Sequence, residues 1–513
     1  MPEDATPGSG GPARAGEMRC LPPMSRSSLP RLDGRTLLLF GCAVGVLALT
    51  FRPTVEGDGI GYFVYLHALL VGHTLDLSGE YRAALAAHIP LYRPLLTVHS
   101  VTGLAADFFP IGPAILSSPA YLVALATRPS GQPSFGAPFT TAFAATSLAL
   151  GLVAPVLSWG LVRSAAITRT GWSPVLATVA AVVATPYLFY LLYEPGYSHT
   201  FSAALCSAFF LTWWLTRDHR SLLGWFLIGL LGGLMATVRF QDGLFVAVLL
   251  LDLRTGRIRA LAALPGILLG FAPQMAIDLA QFGSILPSRP LGQALAPWPG
   301  HYLEVLLSSH NGLFSWSPAT LLAAVGLFFV PRPALRAAGL YAFAVQIAIN
   351  GSAPDWWGGA SFGMRRFLDL LPFFVLGLAT LFELLPRVAA TTVAALLGGW
   401  NVLLLTYYEY VLRADRDPGY LGMLTGQVAA IPYLPHVLFG GDATRNIAEG
   451  LLARDGRLGA GLLLLLIEAL CVAAALVVAR LVARDLPPTP PTPAGVGSPR
   501  VPTPLAQPDP ART

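Results

Sequence analysis

A chain of 513 residues that is 54% hydrophobic and 12% charged, with a mean hydropathy of +0.63, has too few charges to cover a soluble surface and reads as an all-α polytopic membrane protein. Its net charge of +5 comes from arginine alone, and no basic run is interleaved with aromatics, so the expected partner is the lipid bilayer and not nucleic acid. Cys20, Cys42, Cys206 and Cys471 have neither metal nor redox spacing and read as small core residues.

Residues 1–35 are rich in Pro, Gly, Ser and Arg and read as a disordered cytoplasmic lead. The apolar run from Thr36 to Phe51 is followed by no small-residue cleavage site, so it reads as an anchor of about 16 residues against the roughly 20 that cross a bilayer. Arg14, Arg19, Arg26, Arg31 and Arg35 keep its N-terminal side in the cytoplasm. The segment of about 52–138 is too polar for continuous membrane. Its amphipathic runs, Ile60 to Val71 and Ile111 to Ala126, are expected as interfacial or re-entrant helices inside one large external loop. Counting the second as a span would put Arg163 and Arg169 outside.

Further spans are then expected at 139–162, 171–193, 199–216, 221–238, a short 243–253, 258–281, 313–330, 338–353, 366–385, 388–406 and 457–481. With the anchor they make about twelve, in a range of about 11–13, across a membrane domain of 36–482. Arg217, Arg220, Arg254, Arg257, Arg259, Arg332, Arg336, Arg387, Arg480 and Arg484 all fall inside under this threading. Residues 483–513 form a Pro-rich stretch with no apolar face, expected as a disordered cytoplasmic tail. No internal repeat supports an inverted-repeat transporter.

The polar clusters collect on the external side. Asp58, between Gly57 and Gly59 just beyond the anchor, is the candidate catalytic carboxylate, although the same triplet also makes a turn with Asp58 capping the next helix. Glu56, Tyr62 and Tyr65 accompany it. Glu194 and His199 flank a Pro-Gly break, where Ser198 would serve equally as a cap. Arg239, Gln241 and Asp242 stand at the mouth of an apolar hairpin, and an internal Arg239–Asp242 pair would explain them structurally. His310 lies in a polar patch ahead of Trp316. Trp356 and Trp357, two glycines, and then Arg365 and Arg366 form the least ordinary stretch, since arginine pairs normally avoid this side.

In this order the stretches Glu56-x-Asp58, Phe109-Pro-Ile-Gly-Pro113, Ser309-His-Asn-Gly-Leu-Phe-Ser-Trp316 and Trp356-Trp-Gly-Gly-x-Ser-Phe-Gly-x-Arg-Arg366 resemble the membrane glycosyltransferases of the GT-C class. The likeness covers roughly 36–406 and extends distantly to the aminoarabinose and protein O-mannosyl transferases. It implies a sugar moved from a polyprenyl-phosphate carrier to an envelope glycan, lipid or protein acceptor, with Asp58 as general base; Glu56, Tyr62, Glu194, His199, Arg239, Gln241, Asp242, His310, Trp356, Trp357, Arg365 and Arg366 are the candidates for holding substrate. The family often carries adjacent acids in the first loop, whereas here Gly59 follows Asp58, and Glu194 stands where aminoarabinose relatives have Asp. A divalent ion is compatible with these carboxylates, and its ligands are left unassigned. Arg365 is expected to hold the donor phosphate, and Arg366 to pair with Asp369 at helical spacing. A flippase for a lipid-linked saccharide and a non-catalytic envelope subunit are the alternatives. Clustering on one face favours the enzyme over the flippase.

Overall fold

The computed structural model describes residues 34–89, 96, 100–127, 134–255, 257–285, 295–412, 416–439 and 458–484. The expected disordered lead up to 33 and tail from 485 lie outside the described residues. Within them every regular element is helical. The order is α1 (Gly34–Thr50), α2 (Asp58–Leu70), α3 (Ser78–Ala86), α4 (Gly112–Thr127), α5 (Ala137–Ser164), α6 (Trp172–Val183), α7 (Tyr187–Leu192), α8 (His199–Thr216), α9 (Leu222–Val238) and α10 (Arg257–Ala260). There follow α11 (Ala263–Phe282), α12 (Tyr302–Leu307), α13 (Leu313–Trp316), α14 (Pro318–Phe328), α15 (Pro333–Gly351), α16 (Leu371–Glu383), α17 (Arg387–Tyr407), α18 (Gly419–Ala430), α19 (Leu434–Phe439) and α20 (Leu458–Arg484). Short 3-10 segments and one π-helical turn, Tyr408–Leu412, interrupt the series. Four stretches among the described residues, Ala137–Ser164, Ile258–Phe282, Arg387–Leu412 and Gly461–Arg484, are long and apolar enough to cross a membrane. Shorter apolar helices accompany them, an architecture consistent with a polytopic membrane protein.

Proline divides two expected spans. The 171–193 run breaks into α6 and α7 at Pro186, which has no N–H to continue the ladder. The carbonyls freed there are taken by one side chain: Asn401 Nδ2 donates to the Val183 and Thr185 oxygens, both at 2.9 Å. The 313–330 run breaks at Pro318 into α13 and α14. The 366–385 run starts as a 3-10 helix, Arg365–Leu370, before Pro372 opens α16. The short 243–253 span is a 16-residue 3-10 helix, Phe240–Thr255. At about 2.0 Å rise per residue, that covers about 32 Å, the depth of a hydrocarbon core.

Helices meet closely where small residues allow it. Gly229 and Gly233 of α9 face Gly266 and Gly270 of α11, and a Cβ at any of the four would run into backbone of the opposite helix. Across α5 and α8, Ser147 pairs with Thr200 at 2.7 Å and Ser158 with Ser207 at 3.0 Å.

Helix ends sort into two levels. At one, the start of α8 meets the end of α9 through His199 and Arg239, near Arg365. At the other, Glu383 at the end of α16 receives the amides of Arg169 and Thr170, and Arg332 donates to the Ala165 carbonyl. At the first level Gly112 of α4 abuts Thr237 near the end of α9, and Tyr121 stacks on Phe139 near the start of α5 at 4.9 Å.

Candidate active site

Gly57 turns the chain into α2 at φ 58°, so that Asp58 is the first helical residue and not the cap. Its carboxylate is therefore available to the rest of the molecule. Gly59 lets this turn lie against the Gly196 backbone, where a Cβ would stand only 3.0 Å from the Gly196 oxygen. The first loop and the Glu194–His199 loop thus pack main chain on main chain.

Arg365 arrives from the far side of the sequence. Its Nη2 pairs with Asp58 Oδ2 at 2.8 Å and also donates to the Gly358 carbonyl at 2.9 Å. The Gly358 and Gly359 backbones, at φ 83° and 72°, turn that carbonyl toward the guanidinium. The guanidinium lies 4.9 Å over the Tyr197 ring, and Nη1 is buried without a hydrogen-bond partner. Such an orphaned charged donor is costly unless a ligand completes it.

Arg366 behaves differently from its expected pairing with Asp369. Its Nη2 meets Asp355 Oδ2 at 2.6 Å. Burial alone would raise the Asp355 carboxyl, but Arg366 outweighs it and holds the acid below its ordinary range. Asp369 is fully buried and taken by Gln346 Nε2, so Arg366 stays at the mouth while Asp369 turns into the core.

Around this pair stand most of the other predicted residues. Tyr62, buried and near Asp58, accepts from Ser198 Oγ at 3.0 Å. Burial and then the Asp58 charge push its phenol up to about 12. Ser198 is thereby a partner of the site and makes no side-chain cap. His199 Nδ1 lies 3.1 Å from Arg239 Nη1, and its ring packs on Tyr190 at 4.6 Å. Arg239 also donates to the Arg366 carbonyl at 3.3 Å, which ties α9 to the arginine loop. With its amide oxygen facing Arg239, Gln241 accepts from Nε and Nη2 at 3.2 and 2.7 Å. Glu194 is pushed up to about 8, first by burial and then by the charges of Glu56 and Glu409, with Arg365 acting the other way.

Three predicted residues form a second cluster. His310 stacks on Trp357 at 5.6 Å and meets Trp356 edge-on at 6.3 Å. Asn311, held at φ 62°, donates to the Trp357 carbonyl at 3.0 Å and Ser361 Oγ at 3.3 Å. Two others turn away: Asp242 is fully buried with Ser202 Oγ 2.5 Å from its Oδ2, and Tyr65 is fully buried with its hydroxyl toward the Phe109 carbonyl at 3.3 Å.

Sequence reasoning passed over Tyr190, Tyr197, Arg52 and Glu409 as site residues. Arg52 Nη1 pairs with Glu409 Oε2 at 3.0 Å, its guanidinium lies 4.1 Å over Tyr193, and its amide donates to the Leu192 carbonyl at 2.8 Å. The available signal was an arginine directly after an apolar run, on the side where positive charge is disfavoured. Among the described residues no group of three or more His, Cys, Asp and Glu side chains is placed to hold a metal ion.

No family model and no curated protein matches the sequence. Among solved structures, the crystal structure of ArnT from Cupriavidus metallidurans in the apo state is similar over 87% of this chain and 77% of that chain, at 15% sequence identity and a TM-score of 0.46.

Proposed function

We propose that this chain is a membrane glycosyltransferase that moves a sugar from a polyprenyl-phosphate donor to an acceptor hydroxyl at the external face of the cell membrane, with both termini cytoplasmic. The observation that carries the reading is the Asp58–Arg365 pair at 2.8 Å with Arg365 Nη1 buried and unpartnered. A phosphate oxygen is the ligand a spare guanidinium N–H fits best. As the donor phosphate takes Arg365, it competes with Asp58 for the same cation and frees the carboxylate. The acceptor oxygen then attacks the anomeric carbon, the bond from that carbon to phosphate breaks, and phosphate leaves with the electron pair toward Arg365. The acceptor proton passes to Asp58. Tyr62, His199, Arg239 and Gln241 hold the walls around this centre. His310, Trp356 and Trp357 offer flat faces for a sugar ring or a prenyl chain.

The direct test incubates the purified protein with a panel of polyprenyl-phosphate sugars and follows binding and slow hydrolysis. Turnover of one member supports the enzyme. Tight binding with no turnover under any acceptor points to a carrier or a non-catalytic subunit. The orientation is tested by single cysteines in a cysteine-free background: positions 310 and 355 label from outside with an impermeant thiol reagent, whereas labelling of position 169 from outside overturns the threading.

A further inference from the structure

We propose a second ligand site at the end of the molecule opposite Asp58: a cationic cavity that binds a phosphate group, independently of any sugar transfer. The cavity encloses about 360 Å³ between the α8–α9 turn and the start of the α10–α11 segment. Three arginines line it, Arg217, Arg220 and Arg259; the Arg220 side chain is buried, its guanidinium donating to Thr216 Oγ1, Asp252 Oδ2 and the Trp213 carbonyl at 3.1, 3.1 and 3.0 Å. Two of the three arginines are held flat by aromatics. Arg220 lies 4.3 Å over Trp225, and Arg217 lies 5.4 and 5.2 Å from the Trp213 and Trp214 rings.

The charge balance leaves this space positive. Asp252 is buried behind it and neutralises one guanidinium, with Arg220 at 3.1 Å and Arg217 at 3.6 Å. Asp218 lines the cavity and offsets a second. One arginine charge remains, and the start of α9 contributes a partial positive charge. Ser221 caps that helix by accepting from the Gly224 amide at 3.1 Å, which leaves the Leu222 and Leu223 amides without intrahelical acceptors beside the cavity. The Leu215, Leu222, Leu223 and Ile258 side chains around it are exposed, so a polar, basic hollow opens beside lipid-facing apolar surface. A phosphodiester headgroup and a soluble phosphate compound share the chemistry that this arrangement recognises.

The test uses the full chain purified in a mild zwitterionic detergent. Native mass spectrometry compares phosphatidylglycerol with phosphatidylcholine, and thermal unfolding follows added inorganic phosphate. The expected result is an affinity for phosphatidylglycerol at least about tenfold above that for phosphatidylcholine, lost in Arg217→Ala/Arg259→Ala and kept in Arg387→Ala, an exposed arginine at the same end. Arg259→Glu alone supplies a variant that leaves the Asp252 pairs intact and gives the same loss. Both phosphate outcomes support the site: displacement of the lipid by phosphate, with a rise in unfolding temperature, identifies a soluble phosphate compound, and retention of the lipid identifies a headgroup. Equal affinity for the two lipids with no response to phosphate, or an equal loss in Arg387→Ala, overturns the proposal.

Discussion

The two ends of the helix stack treat their charges in opposite ways. At the end opposite Asp58, two carboxylates, Glu383 and Asp252, are well supplied with donors. Glu383 accepts from the Arg169 and Thr170 amides at 3.0 and 3.1 Å and from Ser173 Oγ at 2.6 Å, while Asp252 accepts from Trp213 Nε1 at 2.8 Å and from Arg220. At the Asp58 end, Asp58 and Glu194 face Arg365 and Glu409 pairs with Arg52, the Glu56 charge acts on Glu194 as well, and one Arg365 nitrogen has no acceptor. A saturated carboxylate ties helices together and has nothing left to offer. A crowded set with an orphaned donor costs stability and is kept where a ligand completes it.

The largest expected effect tests that contrast at its centre. Asp58→Asn keeps the shape, removes the proposed base, and lowers turnover by about 10²–10⁴-fold while membrane insertion and unfolding temperature stay near wild type. Near-normal turnover would remove the base from the site end. Next, Arg365→Lys keeps the charge but loses the fork, and donor turnover or Michaelis constant worsens by about tenfold, or about 1.4 kcal/mol of transition-state stabilisation. Arg366→Lys, whose job is the Asp355 anchor, changes the same constants by about threefold or less. Equal kinetics for the two variants would erase the distinction between them.

Glu383→Ala examines the opposite end. It strips the acceptor from two amides and two hydroxyls, those of Thr170 and Ser173, and costs about 1–3 kcal/mol of stability, seen as a lower unfolding temperature with turnover per folded molecule unchanged. A selective loss of turnover would show that the end is more than scaffold.

Glu194→Gln gives the smallest effect, read as a pH profile. The group is neutral below about 8 and ionises above it, adding negative charge beside Asp58, so wild-type turnover falls on the alkaline side through about 8 and the Gln variant stays flat there. Stability follows the same sign. The folded state keeps a proton that the unfolded state loses at ordinary carboxyl pH, so stability declines from that range up to about 8, and the variant lacks this slope.

The sequence made the helices legible because apolar runs and arginine bias report bilayer crossing directly. Pro186 and Pro318 also marked the breaks of α6–α7 and α13–α14 in plain letters, though the uninterrupted apolar runs around them masked the signal. Asp58, Tyr62, His199, Arg239 and Arg365 were visible as polar groups in costly places, and the structure gathers them. Their pairings were not visible. Local spacing points Arg366 to Asp369, but the glycine-turned loop brings Asp355 to it while Gln346 captures Asp369. Arg52 and Glu409 are 357 residues apart, and no periodicity links them. Spacing finds neighbours along one element, whereas these contacts depend on where whole elements dock.

The Arg52–Glu409 and Asp58–Arg365 pairs also set an order of events during synthesis. The loop bearing Arg52 and Asp58 leaves the ribosome early, and its two partners emerge only after most of the membrane helices have been inserted. Until residue 365 appears, Asp58 has no counter-ion from that loop, and until residue 409 appears, Arg52 lacks its own. Nascent chains halted before these points contain the first loop but not its closure, so premature stops even in the last third of the membrane domain yield inserted proteins that cannot complete the site.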